Sequence, residues 1–172
     1  PPPQPIGEVI HDTTKRLKLQ QLRLEQASIR LRERDRMLFN ACVAQIKTKR
    51  QERAGITANE LSEVRKVLNM VSQCHLALER IVLRLETIQE VSQIMADLKP
   101  ALRSLRALTE TMVNVMPDVA AELQRVNESI SDTLDVTKMS SAEDIAPLAR
   151  KTEAGEEILK EVYQKSGPAI QI

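Results

Sequence analysis

The sequence is nearly without aromatic residues: one Phe, one Tyr and no Trp in 172 residues. That removes the bulky anchors around which most globular cores are built. Glycine is almost as scarce, at positions 7, 55, 155 and 167 only, so long stretches lack the commonest loop residue. The two cysteines, Cys42 and Cys74, show no paired spacing. A disulfide framework is therefore not expected, and a reducing compartment is. No apolar run approaches the ~20 residues that span a bilayer, and no signal-peptide pattern opens the chain. It begins PPPQP rather than with Met, and is expected to be a piece of a longer protein.

Groups suited to catalysis are just as sparse. His11 and His75 are the only histidines, on different elements and outside any H-E-x-x-H pattern. Cys74 and His75 are adjacent, so on a helix they project about 100° apart and are poorly placed to share a metal. No Gly-rich loop is available to cradle a phosphate. The carboxylates sit among Lys and Arg as solvated helix faces. The expectation is a protein that is not an enzyme, with no catalytic residues, no cofactor and no metal.

Leu, Glu, Arg, Gln and Ala fill the chain instead, all good helix formers. This is the composition of long packed helices, and the predicted fold class is all-α. The net charge of +1 conceals a gradient. Residues 1–53 hold twelve Lys/Arg against six Asp/Glu, residues 54–116 seven of each, and residues 117–172 six against eleven. A chain basic at one end and acidic at the other can fold back on itself or assemble head to tail.

PPPQPIGEVI is proline-rich, and residues 1–12 read as an extended arm. From Thr13 to Arg53 neither Gly nor Pro interrupts, which predicts a helix. Leu17, Leu24, Leu31 and Leu38 recur every seven residues as one stripe, joined by Ala27, Ala41 and Cys42. Leu22 and Ile29 point roughly the opposite way, which gives this helix a second apolar side that needs another helix, another subunit or a membrane. Gly55 is expected to stop the first helix, and Thr57-Ala58-Asn59-Glu60 has the spacing of a capping box for the next. Leu61, Val64, Leu68, Val71, His75, Leu78, Val82 and Leu85 then form an a/d seam, which makes His75 a seam residue. Val67, Cys74, Ile81, Ile88 and Met95 form a flanking line. Helices over 13–53 and 57–99, joined by a short turn, predict an antiparallel hairpin.

Pro100 marks a joint, since the apolar pattern resumes at Leu102, Leu105, Leu108, Met112 and Val115. Pro117 opens a helix carrying Val119, Leu123, Val126, Ile130 and Leu134. A polar linker is expected at 135–141, then a last helix with Ile145, Leu148, Leu159, Val162 and Tyr163, weakened by Pro147 and Gly155. The predicted organisation is an arm (1–12), a helical core (13–139) and an acidic regulatory helix and tail (140–172). Residues 141–172 are expected to dock on the basic hairpin and restrain assembly.

The basic segment holds Lys15, Arg16, Lys18, Arg23, Arg30, Arg32, Arg34 and Arg36. These eight can be a solvated face whose stems cover apolar neighbours. Nucleic acid is the weaker partner, because no stacking aromatics accompany the charge. An anionic membrane fits better: each such cation contributes about 1 kcal/mol near the surface, and an array of subunits binds through avidity.

The arm PPPQPIGEVI, the phrase RLRERDRMLFNACVAQ in the first helix and ANELSEVRKVLNMV…LALERIVLRLETI in the second give the chain a family look. In this order, followed by MPDVAAEL and an acidic end, the sequence resembles the ESCRT-III proteins, and within them the archaeal cell-division members of CdvB type. The resemblance implies a cytoplasmic, peripheral membrane-remodelling subunit. It would switch from a closed monomer to an open form in which the second and third helices join, and would assemble into filaments with itself or related subunits. Its site would lie at the inner face of the cell membrane or the division site. A AAA ATPase of the Vps type is the implied partner, through a segment outside this chain. A passive helical scaffold or adaptor forming a fixed coiled-coil oligomer is the alternative, and a basic coiled coil on nucleic acid a third reading.

Overall fold

The computed structural model describes residues 4–144 together with 157, 158, 160, 161, 164 and 165. Four helices follow one another, and the described residues contain no strand: α1 (Ile6–Lys47), α2 (Gln51–Glu86), α3 (Val91–Met112) and α4 (Pro117–Asp144). The chain divides into two compact units, Pro1–Thr133 and Leu134–Ile172. The first holds α1, α2, α3 and most of α4. The expected last helix, with Ile145 through Tyr163, Pro147 and Gly155, lies outside the described residues apart from a few helical positions such as Glu157 and Lys160. The expected docking of residues 141–172 lies outside them too.

α1 begins inside the stretch read as an extended arm. Pro5, at φ −55° and ψ 141°, caps it, and the Pro5 carbonyl accepts the N–H of Glu8 (3.0 Å) and Val9 (3.2 Å). Proline suits a helix start, where its missing N–H is not required. Burial supplies the reason to continue: Val9, Thr13 and Thr14 are buried, and Ile6, Val9 and Ile10 line one small cavity with Leu85, Leu98 and Ile130 from the other three helices. The arm thus gives way to helix from Ile6 onward. α1 is about 63 Å long at 1.5 Å per residue.

The turn after α1 also differs from expectation. The N–H of Arg50 bonds the carbonyl of Gln45 (2.8 Å) and that of Lys49 the carbonyl of Ile46 (3.1 Å). This is the Schellman closure of a helix C-terminus, with Lys49 in the left-handed region at φ 63°. Gly55 and the expected capping residues Thr57 and Glu60 lie within α2. The turn falls early because Ala54 and Thr57 are needed in the seam, 5% and 9% exposed. Cys42 Sγ donates to the Ala54 carbonyl at 3.6 Å.

The two long helices form the antiparallel hairpin that the heptads predict. Leu17 and Leu24 of α1 and Val71 and Leu78 of α2 are fully buried. His75 and Leu68 of the predicted seam are half-buried, as are Leu31 and Leu38 of α1. Register is marked by the ion pairs Lys18–Glu86, Arg34–Glu60 and Asp35–Arg65. Arg34 and Asp35, about 100° apart on α1, strap both flanks of the seam.

α2 ends at Glu86, and Thr87–Glu90 is a break without Gly or Pro, in which Glu90 adopts an extended conformation (φ −122°, ψ 144°). The second helix therefore does not run to residue 99. Pro100, the expected hinge, lies inside α3, between the buried Leu98 and Ala101. The joint sits ten residues earlier, where α3 turns back against α2. Pro117 opens α4 as expected, and α4 runs on through the predicted linker at 135–141 to Asp144. Val119, Leu123, Val126 and Ile130 are its buried positions. Asn127 Nδ2 donates to the Leu102 carbonyl at 2.9 Å, which ties α4 to α3. At the base all four helices come together, α4 meeting α1 through Arg16–Glu122 and α3 through Asn127–Leu102. Above it the hairpin continues as two helices, which is why Leu31 and Leu38 are less covered than Leu17 and Leu24.

Candidate functional site

At 100° per residue the eight basic residues of α1 separate into three groups. Lys15, Lys18 and Arg36 share an exposed side of α1, with Arg32 beside it, and Lys18 stands at the margin where this side meets α2. Leu22 (49% exposed) and Ile29 (58%) lie in the same strip. These two leave the core to others, so the second apolar side of α1 is a surface feature. Lys18 is paired with Glu86, and Arg36 with Glu33 one turn before it. Lys15 and Arg32 are exposed, without an ion pair among the described residues.

Arg16, Arg23 and Arg30 recur every seven residues along a different line, the flank that faces α4. Arg16 donates to Glu122 at 2.7–2.8 Å, and Arg125 reaches the other oxygen of Glu122 at 2.9 Å. Burial pushes the Glu122 carboxyl up, but the hydrogen bonds and charges of Arg16 and Arg125 outweigh it and leave its pKa below the ordinary value. Arg23 and Arg30 are exposed and without an ion pair among the described residues, and line a groove of about 610 Å³ between α1 and α4.

Arg34 is the third case. It is committed to Glu60 across the hairpin. On the opposite flank Arg65 donates to both oxygens of Asp35 at 2.9 and 3.2 Å, and those bonds hold the Asp35 carboxyl below its ordinary range. Arg34 thus serves the hairpin's own register first. The structure brings Arg16, Arg23 and Arg30 together, and Lys15, Lys18, Leu22, Ile29 and Arg36 together, but does not unite all eight.

Two features escape the sequence reading. Leu76 (52% exposed) and Leu83 (55%) form a second apolar pair on α2, pointing away from the seam. Their signal is present as another seven-residue spacing, masked by the stronger seam around it. Gln20 is the other. It is 1% exposed, and its Oε1 has no hydrogen-bond partner among the described residues; no sequence pattern marks such a residue. At the hairpin tip, Met37, Phe39, Ile46 and Ile56 are exposed as well. Among the described residues no helix is long and apolar enough to cross a membrane.

No family model matches the chain, and no solved structure does. Curated relatives do, two of them from Sulfolobus acidocaldarius. The chain is 31% identical over 159 residues to Cell division protein B, across 92% of this chain and 60% of that one. It is 37% identical over 103 residues to Cell division protein B1, across 60% of this chain and 48% of that one. It therefore spans only about half to three-fifths of the length of these relatives. The likeness extends through nearly all of an all-helical chain built on a long hairpin, and the chain belongs to the ESCRT-III family, as a member of CdvB type.

Proposed function

We propose that this chain is a subunit of a membrane-remodelling polymer that works in cell division, peripheral to the inner, cytoplasmic face of the cell membrane. The observation that carries the reading is the pair of apolar patches on the hairpin's outer surfaces. The Lys18–Glu86 pair fixes the antiparallel register, and it brings Leu22 level with Leu83 and Ile29 level with Leu76 to within about one residue. A neighbour displaced sideways, with no shift along the hairpin, sets Leu22 and Ile29 of one copy against Leu83 and Leu76 of the next. Such a contact joins two different surfaces, so it does not close on itself and propagates into a filament. The names of the two Sulfolobus relatives supply the process, cell division.

The cations that flank the Leu22–Ile29 contact along the helix, Lys15 and Lys18 before it and Arg32 and Arg36 after it, supply the charge for an anionic membrane. The ion pairs of Lys18 and Arg36 are exposed and so contribute little that lipid could not replace. Repetition along a filament makes a weak contact strong. The role is non-catalytic, and family membership points to a AAA ATPase of the Vps type as the remodelling partner. Electron microscopy with and without liposomes containing anionic lipid tests the reading. Filaments that coat or deform the anionic liposomes are expected. A fixed dimer without lipid affinity would overturn it in favour of a passive adaptor.

A further inference from the structure

We infer that the groove between α1 and α4 is a docking site for an extended acidic peptide of a partner protein. One wall carries Arg23 and Arg30, and Gln20 lies at its base. Arg16 and Arg125 already share Glu122, so Arg23 and Arg30 are the wall's cations without an ion pair among the described residues. Seven helical residues separate them by about 10.5 Å. In a polyproline II segment, which is extended and turns once every three residues, two side chains three residues apart stand on one face about 9 Å from one another. Carboxylates at i and i+3 of such a peptide therefore match the two guanidinium groups, each of which can grip a carboxylate with two parallel bonds.

Gln20 decides between a peptide and a simple anion. Its side chain is buried and lines the groove, while its Oε1 lacks a partner among the described residues. A buried carbonyl oxygen without a donor is costly, and what satisfies it is an N–H. A peptide backbone brings N–H donors between its carboxylates, whereas a single phosphate cannot span two guanidinium groups about 10.5 Å apart. Asp118, on the α4 wall, also disfavours charge concentrated at one point and tolerates two separated carboxylates. The inference stands apart from the assembly reading, because none of Leu22, Ile29, Leu76 and Leu83 lines this groove.

The test is fluorescence anisotropy with the whole chain and a labelled, end-capped hexapeptide, Gly-Glu-Thr-Val-Glu-Gly. Saturable binding that weakens with salt is expected, lost when both Glu are replaced by Gln. Arg23→Gln with Arg30→Gln should reduce affinity at least roughly tenfold, with circular dichroism unchanged since both side chains are exposed. Gln20→Leu should reduce it about tenfold. N-methylation of the amides between the two Glu should do the same without touching the protein's fold. Binding that survives the Arg23/Arg30 change, or is indifferent to both Gln20→Leu and N-methylation, overturns the inference. So does displacement of the peptide by inorganic phosphate at equal concentration, which would make the groove a plain anion site. Phosphatidylglycerol vesicles that need Arg23 and Arg30 and displace the peptide would assign these arginines to the membrane instead.

Discussion

Lys49 holds a left-handed conformation at φ 63°, which costs an L-residue with a Cβ roughly 1–2 kcal/mol. The Schellman bonds of Arg50 and Lys49 to Gln45 and Ile46 hold it there, at a position where glycine is the usual occupant. Lys49→Gly should therefore stabilise the chain by about 1 kcal/mol, less what the freer unfolded chain takes back. In a chain of this length that is about 2–4 °C in Tm. Gly55 presents the reverse case. It lies inside α2 with nothing within 4 Å of a Cβ built on it, so Gly55→Ala should add about 0.5–1 kcal/mol. A thermal melt that falls for either variant would contradict the observed turn. Glu122 gives a pH signature. Its carboxyl lies below its ordinary value of 4.5 despite burial, because of Arg16 and Arg125. A depressed folded-state pKa makes the stabilisation complete above the unfolded value and loses it as pH falls through the folded one. Glu33 and Asp35 shift in the same direction, each through an arginine hydrogen bond. Stability should thus decline from about pH 5 downward, and Glu122→Gln should flatten that slope while costing about 1 kcal/mol at pH 7. An unaltered slope would mean that the Arg16–Glu122 contact is not held in solution. Cys74, its pKa pushed up to about 11 by burial, should react with thiol reagents only as the chain opens.

At the scale of the elements, Pro100 and the segment Thr87–Glu90 divide the roles that one proline was expected to play. Pro100 takes the N–H that the Ala96 carbonyl would have received, in the interior of α3. Pro100→Ala should restore that bond and raise stability by about 1–3 kcal/mol, without changing how α2 and α3 are arranged. Thr87→Ala with Gln89→Ala instead raises helix propensity across the break and should favour joining α2 and α3 into one helix, the form that the proposed assembly implies. It should lower the concentration at which light scattering reports assembly, while Pro100→Ala leaves that concentration alone. The opposite pattern would return the hinge to Pro100. Helix content, the hairpin and its seam from Leu61 to Leu85 were legible because heptad spacing records burial directly. Where the helices stop was not. Lys49 ends α1 by backbone bonding that a glycine-based rule overlooks, and Thr87-Ile88-Gln89-Glu90 contains no breaker at all. Leu22 and Ile29 were legible as a second face. The division of the arginines was not, because Arg16 finds Glu122 from 106 residues away and no local pattern records such a partner.

For the molecule as a whole, the sharpest consequence of the proposed assembly is that its two faces are different and separable. Leu22 and Ile29 on α1, and Leu76 and Leu83 on α2, are all about half-exposed or more. Replacing either pair by Ser should leave thermal stability within about 0.5 kcal/mol per site, as for surface positions generally. Each double variant should fail to form filaments alone. Leu22→Ser with Ile29→Ser keeps the α2 patch, while Leu76→Ser with Leu83→Ser keeps the α1 patch. Mixed, they can make one contact between an intact α1 face and an intact α2 face, and no further growth is then possible. Sedimentation velocity should find monomers in each separate solution and heterodimers in the mixture. A contact of like with like would behave otherwise: one variant would dimerise alone through its remaining patch, and mixing would change nothing. Filaments from either variant by itself would show that these four residues do not carry the polymer. In that case the exposed Phe39, Ile46 and Ile56 at the hairpin tip are the next surface to test.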